Sequence, residues 1–67
     1  MKTYPKRIEH GGHPYVLATL TPPQVGDLLC FLVGSFFEVE ASVTADTNIA
    51  DDILPGLSEG CALYRPV

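Results

Sequence analysis

Lysine and arginine are missing from almost the whole length of this chain. Lys2, Lys6 and Arg7 stand at one end and Arg65 near the other, so residues 8–64 hold eight acids and no Lys or Arg. Affinity for nucleic-acid phosphates comes mainly from neutralising cations, so no direct DNA or RNA binding is expected. Long apolar runs are also missing. The longest, residues 25–37, spans 13 positions and contains Asp27. A bilayer helix needs roughly 17–25 apolar residues, so no membrane span is expected, and the run lies too far along the chain for a signal peptide.

Closely spaced cysteine pairs are absent too. Cys30 and Cys61 are 31 positions apart, and His10-Gly-Gly-His13 supplies the only histidines. Two imidazoles and two thiols are a possible zinc set, but structural zinc sites usually carry cysteines as near neighbours. The histidines read more simply as residues flanking a turn. The thiols sit in the most apolar surroundings of the chain, where free cysteine behaves as a small hydrophobe, and whether they pair is open. No activating base or electropositive setting for a catalytic thiol is visible. Asp46-Thr-Asn-Ile-Ala-Asp-Asp52 lacks the glycine and closing glutamate of a calcium loop. No phosphate loop, dinucleotide fingerprint or nucleophile motif occurs. Neither catalytic residue, metal nor cofactor is expected, and the reading is non-enzymatic.

What is present is enough apolar side chain for one small domain over residues 1–67: 46% hydrophobic against 18% charged. That balance excludes intrinsic disorder. Arg7–His10 and residues 14–20 read as strands about a Gly11-Gly12 primed turn, setting His10 opposite His13 and Ile8 opposite Tyr15. Thr21-Pro22-Pro23-Gln24 has the form of a capping box with proline at the first helical position. Val25, Leu28, Leu29, Leu32 and Val33 then follow helical spacing, Leu20 and Val25 form a staple, and Gly34 closes a helix over 22–33. The rival reading makes 27–33 and 36–43 two strands joined by Gly34-Ser35. Residues 36–44 alternate, with Phe37, Val39, Ala41 and Val43 on one face and Phe36, Glu38, Glu40 and Ser42 on the other. Asp46 or Thr47 caps a short helix carrying Ile49, Ile53 and Leu54, which Pro55-Gly56 ends. Residues 61–65 read as a last, edge strand.

The order β-β-α-β-α-β predicts a small α+β domain, a mostly antiparallel sheet with its helices on one face; the alternative is an all-β meander with one short helix. With Val16, Ala18 and Leu20 toward the helices, Tyr15, Leu17 and Thr19 face outward, as do Phe36, Glu38 and Glu40. Phe31 lies on the outer side of the first helix. These aromatics among carboxylates read as a docking surface, with partner-binding residues Tyr15, Leu17, Phe31, Phe36, Glu38, Glu40, Asp46, Asp51 and Asp52.

The functional expectation is a small acidic, cytoplasmic protein-binding module that occupies a basic site on a larger assembly. Phage-type inhibitors of nucleic-acid-handling complexes, anti-CRISPR-like or DNA-mimic-like, work this way. Size, acidity and the lack of chemistry suggest that class; no motif matches a family. The alternative is a structural or accessory subunit buried in a homo- or hetero-oligomer, a homodimer included.

Overall fold

Five strands make one sheet in the computed structural model, which describes residues 4–67. They are β1 (Arg7–His10), β2 (His13–Leu17), β3 (Leu28–Val33), β4 (Phe36–Ser42) and β5 (Ala62–Pro66). The spatial order is β1-β2-β5-β3-β4, and every neighbouring pair is antiparallel. A π-helical segment, Ile49–Ile53, runs straight into the one short helix, α1 (Leu54–Ser58). The architecture is a curved half-barrel of sheet with a single short helix. It lies closer to the all-β alternative than to the α+β order, although β5 breaks a plain meander by entering between β2 and β3. Among the described residues no helix is long and apolar enough to cross a membrane.

The first hairpin has the expected register, with His10 opposite His13 and Ile8 opposite Tyr15. Gly11 and Gly12 both take positive φ, 60° and 80°, as a type I′ turn requires.

The helix over 22–33 is overturned, and the rival hairpin stands in its place. Gly26 has φ +99°, and the Asp27 N–H reaches the Gln24 carbonyl at 3.1 Å, which closes a turn where a helix would be running. The Thr21 hydroxyl donates to the Ala18 carbonyl at 2.8 Å instead of capping a helix. Leu20 is fully exposed and Val25 is 69% exposed, so the staple does not form. What displaces the helix is Asp27. Completely buried, it receives Arg65 through two bonds, Nε to Oδ1 at 3.0 Å and a terminal nitrogen to Oδ2 at 2.9 Å. The Gln24 N–H also donates to Oδ2, and Arg65 donates onward to the Pro22 carbonyl, which pins the loop to β5. A buried carboxylate needs such a fork, and this one is supplied from 38 residues away.

The last strand is central, not an edge. Leu63 and Tyr64 are fully buried because β2 and β3 flank them. Side chains complete the ladders where strands diverge. The Leu63 N–H finds the Thr19 hydroxyl at 3.1 Å, so Thr19 does not face outward as expected. Beyond the end of β5, the Tyr4 hydroxyl accepts from the Leu32 N–H at 3.1 Å and donates to the Gly60 carbonyl at 2.8 Å.

Both faces of the sheet are covered. On the aromatic face Leu28, Cys30, Ala62 and Tyr64 pack with Tyr4, Ile8, Tyr15 and Phe37. Phe37 meets Tyr4 and Tyr64 edge-on, at 6.0 and 5.4 Å between ring centroids, and the Tyr64 hydroxyl donates to the Pro5 carbonyl. On the helix face Leu29, Val43, Ile53 and Leu63 pack with Ala41, Ile49, Leu57 and Cys61. The thiols are free, Cys30 on the first face and Cys61 on the second.

Neither Asp46 nor Thr47 caps the helical stretch. Asn48 does, accepting from the Asp51 N–H at 3.2 Å and donating to its carboxylate at 2.9 Å. Pro55 and Gly56 do not end the helix either; they form the first turn of α1. Pro55 has no N–H with which to extend the bonding of the π segment, in which the Leu54 N–H reaches the Ile49 carbonyl.

Candidate functional site

The clean alternation expected for β4 is broken by a bulge. Leu29 lies opposite Ala41 while Cys30 lies opposite Val39, so Glu40 is an extra residue without a partner on β3. A bulge bends the strand and re-aims the side chains beyond it. Phe37 and Val39 therefore belong to the aromatic face, whereas Ala41 and Val43 pack on the helix face. Glu40 stands beside Ala41 at the wall of a concavity of about 430 Å³.

That concavity lies between the sheet and the helical stretch. Leu29, Phe31, Ala41, Gly56 and Cys61 line its apolar part, and the exposed carboxylates of Glu40, Asp52 and Glu59 complete it. Each acid comes from a different place: the β4 bulge, the π segment and the turn after α1. The one ion pair among the described residues is Arg65–Asp27, so none of the three is neutralised by a cation there. Gly56 brings α1 against β3, since a Cβ at this position would stand 2.7 Å from Leu29 Cδ2.

The carboxylates favour positive charge in the concavity, and its one thiol is held protonated. Burial pushes the Cys61 thiol above its ordinary range, and the Glu40 and Glu59 carboxylates push it further, which suppresses the thiolate. Cys30 is pushed up to about 11 by burial and then by Cys61. Among the described residues no three His, Cys, Asp or Glu side chains converge as metal ligands. His10 and His13 face each other beside the β1–β2 turn, while Cys30 and Cys61 lie on opposite faces of the sheet's other half.

The structure gathers some of the residues expected to bind a partner and separates others. Phe31, Glu40 and Asp52 meet in the concavity. Glu38 lies opposite Phe31 and Phe36 opposite Val33, so all four extend the helix face along the β3–β4 hairpin to its tip. Phe36 is 74% and Val33 44% exposed. Tyr15, expected outside, turns inward onto the aromatic core, edge-on to His10. Leu17 shares the aromatic face and is partly exposed. Asp46 sits in the loop after β4, and Asp51 is engaged with Asn48. Sequence reasoning missed Cys61 and Val33, and it counted Glu59 only among the acids of residues 36–59. Glu59 follows α1 so closely that only knowledge of where the helix packs places it at the concavity.

No protein-family model matches this chain, no curated protein is similar to it at a significant level, and no solved structure matches its fold.

Proposed function

We propose that this protein is a non-enzymatic, acidic binding module whose β3–β4 hairpin docks on a basic surface of a protein partner, a site that in the partner handles nucleic acid. One observation carries the reading: exposed Phe36 and Val33 adjoin a concavity bearing carboxylates that no cation among the described residues neutralises. Apolar anchors beside unpaired charge suit a contact in which charge accelerates and orients encounter and buried rings hold the complex. Occupying such a groove makes the module an inhibitor, in the manner of anti-CRISPR or DNA-mimic proteins, and a cytoplasmic one.

The test is kinetic. With a captured partner, Glu38→Lys with Glu40→Lys should slow association steeply at low salt and leave the fold intact, whereas Phe36→Ala should speed dissociation. An association rate unchanged by the double reversal refutes the charged-face mechanism.

A second reading has its own support. Leu20, Val25 and Val67 are strongly exposed away from the acidic hairpin, as the contact of a permanently assembled subunit would be. Such an interface would persist at high salt, where a charge-read partner is released.

A further inference from the structure

We propose that β4 accepts an added strand: an extended basic segment of the partner pairs antiparallel with its free edge and lays Lys or Arg side chains against Glu38, Glu40 and the concavity. This rests on the docking reading above and supplies its mode.

Among the described residues β4 is the terminal strand of the sheet and pairs with β3 alone. Val33 and Phe36 flank the two-residue turn Gly34-Ser35, so this closing pair exchanges both of its hydrogen bonds. Bonding direction alternates along a strand, so Phe37 and Val39 turn their N–H and C=O groups away from β3. Among the described residues nothing pairs with them on that side. Such a row of donors and acceptors is the template that strand addition uses. The Glu40 bulge ends the regular stretch, which limits pairing to the half of β4 nearest the hairpin tip.

The occupant follows from charge. Residues of an antiparallel partner that bond to Phe37 and Val39 share the aromatic face with them. The alternate residues then lie on the helix face, about 6.6–6.8 Å apart, beside Glu38 and Glu40. Cationic side chains there meet carboxylates that no cation among the described residues pairs, and a long one passes over Phe31 toward Asp52 and Glu59. A second copy of β4 fits poorly, because two-fold pairing would bring Glu38 and Glu40 against the same acids of the other copy.

The experiment uses the full chain and an end-capped eight-residue peptide of alternating valine and lysine, with two controls. One control is N-methylated at every valine and the other at every lysine. The unmodified peptide should shift the amide resonances of residues 36–40 and slow exchange at Phe37 and Val39 by about tenfold or more. Methylating valine removes the N–H groups that face β4 and should weaken binding at least about tenfold, while methylating lysine should leave it nearly unchanged. Val39→Pro, at a position whose N–H bonds to no neighbour among the described residues, should act like the valine methylation.

Equal affinity of the two methylated peptides overturns strand addition, as does failure of the unmodified peptide to bind at low salt, or a dimer formed by the chain alone through β4. If in those cases Glu38→Lys with Glu40→Lys still slows a captured partner, the docking reading stands and only its mode is wrong. If the reversal has no effect either, both fall.

Discussion

Replacing Gly56 by alanine sets two effects of opposite sign against each other, and the structure decides between them. Gly56 lies in α1 without positive φ, so alanine is conformationally acceptable there. Helix propensity alone makes Gly56→Ala stabilising by about 1 kcal/mol. The packing says otherwise, because the new Cβ would sit 2.7 Å from Leu29 Cδ2 and 3.6 Å from Cys61 Sγ. Leu29 is buried among Val43, Ile53 and Leu63 and has little room to swing aside. Overpacking of this kind costs about 1–3 kcal/mol, so the expected net loss is about 1 kcal/mol. In a domain this small that lowers Tm by about 4–8 °C. Urea denaturation followed by circular dichroism measures it. Leu29→Val removes the obstructing methyl, so it should cost less in the alanine background than in the parent, with a coupling of about 0.5 kcal/mol or more. A Gly56→Ala protein at least as stable as the parent, with an additive cycle, would refute the close approach of α1 to β3.

Three other perturbations test other parts of the fold. Tyr4→Phe deletes the hydroxyl that joins the Leu32 N–H to the Gly60 carbonyl and should cost about 1 kcal/mol, with faster amide exchange at Leu32. Arg65→Met strands the buried Asp27 carboxylate and should lower the urea midpoint markedly; adding Asp27→Asn should recover part of the loss, and no recovery would deny that the pair's charge is at issue. Burial raises Cys30 from 9.0 to about 11 and Tyr64 from 10.0 to about 12, so the folded state keeps both protons where the unfolded chain would lose them. Their contribution is whole below pH 9 and is lost between about pH 9 and 12, and Cys30→Ala should flatten the first part of that decline in an alkaline titration of stability.

The first hairpin was legible because its signal is local: two glycines fix the turn, and the turn fixes the register from Arg7 to Val16. The second hairpin carried two local signals that disagreed. Thr21-Pro-Pro-Gln24 and the Leu28, Leu29, Leu32 spacing favour helix, while Gly34-Ser35 and the β-branched and aromatic residues around it favour strands. What decides is the Asp27–Arg65 fork, a contact that no window along the chain contains. The same holds for Tyr15, whose inward turn follows from β5 taking the central position. The acidic character of the candidate site was readable as composition. The gathering of Glu40, Asp52 and Glu59 was not, because it depends on a one-residue bulge and on where α1 packs.

The position of β5 dictates an order of assembly. Both hairpins precede it in the chain, yet they touch in the sheet only through it. Until Ala62–Pro66 docks, β2 and β3 each present a naked inner edge, and β3 is the apolar run Leu-Leu-Cys-Phe-Leu-Val. A nascent chain therefore passes through a stage at which its most aggregation-prone strand waits for its partner. Closing the sheet joins residues more than 30 positions apart, 44 in the bond from Leu63 to Thr19, and such closures are slow. Yield in the cell should then depend on how quickly the final strand is delivered. Slowing the docking of Ala62–Pro66 would lengthen the vulnerable interval without altering the finished protein.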